Sequence, residues 1–385
     1  MDLKLFFDAI DEKLASEALP NDSLFNFIYV NQHKMPEKDG LDMAIIGLNE
    51  IRGNNTIDTS GTDQIRKKLY SLKKGVGSCN IADLGNLRNG PSREETVIRI
   101  KEVVFHLMED NILPILIGGT HDLDFGQYLA YENQEKLVSI LNVDSRFDLE
   151  DEKEASPNAK HIHKIFTHEP NYLFNYNHLA HQSYLVNPSA LKVMEQLNFQ
   201  SFRLGEIRED LKRAEPLIRE ADMLTFDISS IRSQYCPGGS QSEVFGLTGE
   251  EACQICWYAG MNDKLSSAGF YEYDPKKDTE GQPTAMTMAV MIWYFIEGFK
   301  NRKGEKGFQT NDFLKYIVSM DSTPEMIVFY KSQLSEKWWM EVPNSARKGV
   351  YDRNFVIPCD YSDYEKATKG EVPDRWISTV AKTSS

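Results

Sequence analysis

The chain has no long apolar run. Among its 385 residues, no stretch approaches the roughly 20 successive apolar side chains that a bilayer-spanning helix needs. The most apolar segment, AMTMAVMIWYFIEGF (285–299), is interrupted by Glu297 and reads as a buried helix. The opening residues, MDLKLFFDAIDEK, carry acids inside their apolar portion and show no small-residue cleavage pattern, so they do not read as a secretory signal. A cytoplasmic protein with no membrane partner is expected. Positive charge is also short: 43 Lys and Arg stand against 58 Asp and Glu, for a net charge of −15. Binding a phosphate backbone requires clustered cations, so no nucleic-acid partner is expected. Cysteine is sparse, and the five present, at 79, 236, 253, 256 and 359, form no disulfide framework. Cys253 and Cys256 share one face of a helical segment, EEACQICWYAG, without a second ligand pair, and read as small core residues.

An apolar content of 41% and a charged content of 26% are ordinary for a globular protein. The length suits one large α/β domain with an extension, or two domains. MAIIGL (43–48), ILPILIGG (112–119), LVSILNV (137–143), MLTFDI (223–228) and AGFYEY (268–273) are continuous apolar runs, the pattern of strands covered on both faces of a parallel sheet. Helical patterns alternate with them. Ser92 with Glu95, and Thr248 with Glu251, have capping-box spacing, and Val97, Ile100, Val104 and Met108 form one apolar stripe. Residues 208–220 suggest a more exposed helix, and 149–160 an exposed loop. The alternation predicts a doubly wound α/β fold over 1–303. From 304 to 385 the composition changes, with Trp338, Trp339 and Trp376 among charges and prolines, which suggests a C-terminal extension packed on the core.

In open parallel sheets, ligands bind beyond the carboxyl ends of the strands. Four predicted strand ends deliver reactive groups there: Thr120-His121-Asp122, Asp144-x-Arg146-x-Asp148, Asp227-Ile228-Ser229 and Glu272-Tyr273-Asp274. Carboxylates with an imidazole suit Mn²⁺, Mg²⁺ or Zn²⁺. The stretch Asp144-x-Arg146-x-Asp148 is ambiguous alone, because it has metal-loop spacing with an arginine between the carboxylates.

The motifs GGTH (118–121), DSRFD (144–148), TFDISSIRSQYCPG (225–238), GLTGEE (246–251) and EYDPKKD (272–278) resemble, in order, those of the ureohydrolase family of arginase, agmatinase and formimidoylglutamase, across about 40–303. The resemblance implies an α/β fold of three αβα layers around a mostly parallel sheet. It also implies a pair of manganese ions. By position, His121, Asp144, Asp148 and Asp227 match the ligands of the first ion. The private ligands of the second fall at Arg146 and Ser229, which cannot serve, and a later Asp-Pro is replaced by Arg232-Ser233. Arginine stays protonated and has no lone pair to offer. Three carboxylates with one guanidinium carry the charge that one divalent ion neutralises, so Arg146 is expected in the second ion's place, paired with Asp144 or Asp227, with Arg232 in a similar role. One divalent metal, most simply manganese, or none is therefore expected.

The resemblance assigns His161, thirteen residues beyond Asp148, to proton transfer, with His163 as an alternative, and Glu272 to orienting an amidine-type substrate. His168, His178 and His181 read as ordinary polar residues. Two functions follow as expectations. One is hydrolysis of a linear C–N bond in a small guanidino or formimino substrate, formimidoylglutamase-like. The other is an inactive family member with a structural or regulatory role. The resemblance also implies a homo-oligomer.

Overall fold

The computed structural model describes residues 2–14, 19–305, 308, 312–320, 324–343 and 354–384. Its centre is a ten-stranded sheet built from β1 (Phe7–Asp8), β2 (Ile28–Val30), β3 (Met43–Leu48), β4 (Ile81–Leu87), β5 (Leu113–Ile117), β6 (Val138–Val143), β7 (Leu173–His181), β8 (Gln200–Arg203), β9 (Met223–Asp227) and β10 (Ser267–Tyr271). The strands lie in the order β1-β4-β3-β5-β10-β9-β6-β7-β8, with β2 also on β4. Every pairing is parallel except that of β1 with β4. Helices cover both faces, as a sheet apolar on both sides requires. One face packs against α1 (Thr62–Ser71), α7 (Glu215–Glu220), α8 (Gly249–Gly260) and α9 (Pro283–Lys300). The other packs against α2 (Arg93–Glu109), α3 (Asp124–Asn133), α4 (His161–Phe166) and α5 (Pro188–Gln196). This is the expected three-layer α/β architecture. The segment 285–299 lies within α9, and no described helix is long and apolar enough to cross a membrane.

The helix starts follow their capping chemistry. Thr248 and Glu251 form a reciprocal box at α8. Ser92 caps α2 through the Glu95 amide, but no returning bond from Glu95 accompanies it. Cys253 and Cys256 are buried on α8. The helix expected over 208–220 differs. It is broken into α6 (Leu204–Glu209), a 3₁₀ turn and α7, because Pro216 fits only a helix's first turn. Pro216, Leu217, Ile218 and Arg219 are buried rather than exposed.

Leu217 and Ile218 join the core under the main sheet, whereas Arg219 is buried against the C-terminal segment, a four-stranded antiparallel sheet in the order β11-β12-β13-β14. Its strands are β11 (Phe313–Ser319), β12 (Met326–Ser332), β13 (Trp338–Val342) and β14 (Phe355–Cys359), followed by α10 (Tyr361–Thr368) and α11 (Asp374–Ser384). It has its own core around Phe329, Trp338, Met340 and Ile357. Arg219 of α7 pins it in place. Its guanidinium donates to Trp338 O at 2.9 Å and Cys359 O at 3.0 Å, and lies 4.3 Å from the Trp339 ring centre. Glu215, one turn earlier, balances its charge at 3.0 Å. Removing one partner of such a buried network costs about 3–5 kcal/mol. Arg219→Leu is expected to raise hydrogen exchange in β13 and β14 well before β5 or β9. Equal loss of protection in both sheets would contradict this anchoring.

Candidate metal centre

Four strands with reactive ends, β5, β10, β9 and β6, are consecutive neighbours in the sheet. Neighbouring strands lie about 4.8 Å apart, so residues just past their ends converge. After β5 the chain turns through Gly118 and Gly119, at φ 80° and 75°. A Cβ on Gly118 would meet Thr62 Cγ2 at 2.8 Å, and one on Gly119 would meet Leu123 Cδ1 at 2.6 Å, so the turn needs glycine twice. It delivers His121, which is fully buried.

Around His121 Nδ1 stand Asp227 Oδ2 at 3.5 Å, Asp144 Oδ2 at 3.6 Å and Asp148 Oδ2 at 4.0 Å. These distances are too long for hydrogen bonds. The other oxygens of two of the carboxylates are already used. Asp144 Oδ1 accepts from the Arg146 amide at 3.1 Å, and Asp227 Oδ1 accepts from the Ser229 amide at 2.6 Å. Both are local turns in which a side chain binds the amide two residues on. Each thereby orients one oxygen toward His121.

His161, at the start of α4, lies with its ring centre 4.3 Å from that of His121. Its Nδ1 is 2.9 Å from Asp124 Oδ1, and its Nε2 is 3.4 Å from Asp148 Oδ2. Asp124 also accepts from Thr225 Oγ1 at 3.3 Å, and Thr225 Oγ1 lies 2.7 Å from His121 Nε2. Because the threonine proton goes to Asp124, its oxygen accepts from His121. Both imidazoles therefore hold a proton on the side facing Asp124 or Thr225. His121 Nδ1 and His161 Nε2 face the carboxylates instead. These two nitrogens and Asp144 Oδ2 are buried without a hydrogen-bond partner.

The electrostatics reflect crowding of like charge. Burial, then Asp148, pushes Asp144 up to about 6, and burial, then Asp144, raises Asp227. Burial disfavours the imidazolium of His161, but Asp124 outweighs it and holds the group at about 9. His121 is likewise raised against burial by Asp144 and Asp227. Orphaned donor atoms, three carboxylates and imidazole nitrogens aimed at one point fit a divalent cation. His121, Asp144, Asp148 and Asp227 offer atoms all within 4.8 Å of one another, and so do His121, Asp148 and His161.

Glu272, just past β10, is fully buried at φ 71°. It accepts from Asn54 Nδ2 at 2.6 Å and from the His121 amide at 2.7 Å, and burial, then Asp227, pushes it up to about 8. Asp278, at the end of the last motif, instead caps α9 by accepting from the Thr284 and Ala285 amides, each at 3.3 Å. His178 and His181 lie behind the Asp144 loop against Phe147, with His178 Nε2 3.1 Å from Asp144 O. His168 lies beside Phe125 and Glu132, away from the centre.

The expected place of Arg146 needs correction. Only its main-chain amide meets Asp144. Its guanidinium turns outward to Glu243 Oε1, at 2.6 Å, on the rim. Arg232 lies over the Tyr235 ring at 5.1 Å and does not reach the carboxylates. The physical reason is the partner: Glu243 takes the end of the guanidinium at the rim, where the side chain is 31% exposed, although Nε is buried without a partner. The charge balance expected from Arg146 is thus not made at the ligand atoms. Asp124, Thr225 and Glu243 were not anticipated. Asp124 stands three residues beyond His121, on the next turn, and that spacing is its only local signal.

Fold and site together define the class. The arginase-family sequence profile matches residues 51–297, more than half of the chain, and the protein belongs to that family. Its relatives within that family include formimidoylglutamases. That of Streptococcus gordonii is 23% identical over 299 residues, covering 71% of this chain and 89% of its own. The formimidoylglutamase of Staphylococcus carnosus is 23% identical over 280 residues, covering 69% and 89%. Trypanosoma cruzi formiminoglutamase, crystallised with Mn²⁺, superposes with a TM-score of 0.63 at 19% identity, over 73% of this chain and 99% of that one. Bacillus subtilis formimidoylglutamase gives 0.66 at 15%, over 75% and 95%. At these identities the structural likeness establishes the fold.

Arg146–Glu243 is a rim pair with side chains 31% and 26% exposed, and a pair of that kind contributes about 1 kcal/mol. Arg146→Ala is therefore expected to move the denaturation midpoint little. A loss of several kcal/mol, the cost of removing a buried charge partner, would return the guanidinium to the carboxylates.

Proposed function

We propose that this protein hydrolyses a linear C–N bond in a small guanidino or formimino substrate, in the manner of a formimidoylglutamase, with at most one divalent ion. The observation that carries this reading is the convergence of buried, unpartnered His121 Nδ1 and Asp144 Oδ2 with Asp148 and Asp227. The donor set of three carboxylates and imidazole suits manganese. A bound ion there would supply Lewis-acid polarisation and an acidified water. The lost donors at Arg146 and Ser229 support one ion rather than two.

The chain's own groups set the rest. Glu272 keeps a lone pair on each oxygen beyond its bonds to Asn54 and His121. An amidine N–H could donate there, and the amidinium form would displace the proton that burial favours. The surrounding side chains exclude water, with Asp148 and Asp227 only 12% and 8% exposed. The proton-carrying role implied for His161 would use Nε2, which faces Asp148 and is closed to solvent. The second reading, an inactive member, is favoured by the same closure and by the two missing donors.

Metal titration followed by assay separates the two. The purified protein is expected to take up one equivalent of Mn²⁺ and to release formamide from N-formimidoylglutamate. Asp227→Asn should abolish both. One bound equivalent without turnover of formimidoylglutamate, agmatine or arginine selects the inactive reading, and two equivalents overturn the one-ion centre. Arg146→His combined with Ser229→Asp is expected to add a second equivalent and to raise turnover. If the metal content of this double variant stays at one, position 146 does not stand where the second ion's ligand belongs.

A further inference from the structure

The core and the extension do not close on each other completely. A cavity of about 500 Å³ lies between them, walled by β6, β7, α7 and the chain after α8 on one side and by β13 and β14 on the other. We propose that this cavity binds an uncharged, flat aromatic or heteroaromatic molecule whose one hydrogen-bonding group meets Ser139. The ligand bridges core and extension. It sits apart from the metal centre, because β6 carries Ser139 near its start and Asp144 just past its end, five residues or about 16 Å away. The family profile ends at residue 297, so the outer wall of the cavity lies beyond the matched part of the chain.

Three observations carry the assignment. The first is size and place. Sites for small organic ligands run from about 300 to 1,000 Å³ and favour the junctions between domains. The second is the wall. Phe174 and Phe355 stand 28° from parallel with ring centres 5.8 Å apart, and Phe308 meets Trp339 at 5.4 Å. Rings of this kind attract another flat ring, offset over a face or against an edge. The third is the polar inventory. Arg219, Lys264 and Lys337 stand against Glu220, Asp263 and Glu305 around the cavity, so the lining charges cancel. Each is already engaged. Arg219 and Lys337 lie 3.0 and 3.4 Å from Glu215, and Lys264 lies 3.0 Å from Asp222. Glu220 accepts from Asn177 Nδ2 at 3.4 Å, Asp263 from the Gly304 and Glu305 amides, and Glu305 from Ser335 Oγ at 2.6 Å. A charged ligand finds no free counter-ion among them, and desolvating its charge is costly.

Ser139 is the exception in that inventory. Alternation along β6 puts it on the face of Leu141 and Val143, the side covered by α7. It lines the cavity, is 1% exposed, and its Oγ has no hydrogen-bond partner. A buried hydroxyl is seldom left so, and this one can donate to a ligand or accept from it.

Indole is a direct probe, being flat, uncharged and equipped with one N–H. Calorimetric titration of the whole, unaltered chain is expected to show saturable binding of indole, with benzoate and benzylammonium bound at least tenfold more weakly. Hydrogen exchange locates the probe: indole should slow exchange in β13 and β14 and leave β5 and β9 unchanged. Ser139→Ala removes no hydrogen bond within the protein and is expected to weaken indole about 3–10-fold, the worth of one hydrogen bond. Asp227→Asn, which breaks the metal centre, should bind indole as the unaltered chain does. Absence of saturable indole binding overturns the proposal, and so does protection confined to α8 and α9, beside the apolar groove at Trp257 and Tyr294. Equal affinity for the three probes overturns the ligand class, and an unchanged affinity in Ser139→Ala overturns the part given to its hydroxyl. The first two measurements use the unaltered protein, so misfolding of a variant does not shield the proposal.

Discussion

Three carboxylates buried within about 4 Å of one imidazole repel one another, and their burial costs several kcal/mol unless positive charge stands among them. The surroundings answer that repulsion in layers. Main-chain amides at 146 and 229 take up outer oxygens, His121 and His161 lie against the inner ones, and Asp124 with Thr225 fixes the rings. The sheet order supplies the proximity. β5, β10, β9 and β6 are contiguous, although Ser267–Tyr271 and Leu113–Ile117 are far apart in the chain.

Much of this was legible from residue order. Continuous apolar runs located the five inner strands, and the polar residues at their ends located the centre, because parallel strands must present their carboxyl ends to one rim. What escaped had weaker patterning. LFNYNHLAH carries asparagines and histidines through β7, so it lacks the apolar run of a covered strand. Among the C-terminal strands, β11 is largely exposed along its length, so the alternation had no clean apolar face. Side-chain direction was the larger gap. Sequence position put Arg146 among the carboxylates, but a long side chain on a loop reaches either way, and Glu243, 97 residues on, decided the outcome. Asp124 was invisible for a related reason: nothing in one sequence reveals that its partner is His161.

The extension and the centre occupy separate ends of the molecule's logic. The extension grips α7 through Arg219, a buried cation held by carbonyls, a carboxylate and the Trp339 ring. The centre is held by other contacts: the amides at 146 and 229, Asp124, Thr225 and Glu272.

That separation extends to the rim. Arg146 and Glu243 form a shallow attachment at the rim, and the main chain at 146 is held by Asp144 whatever side chain it bears. The course of the loop is therefore set by its main chain, and a different side chain at 146 would leave the fold that carries it in place.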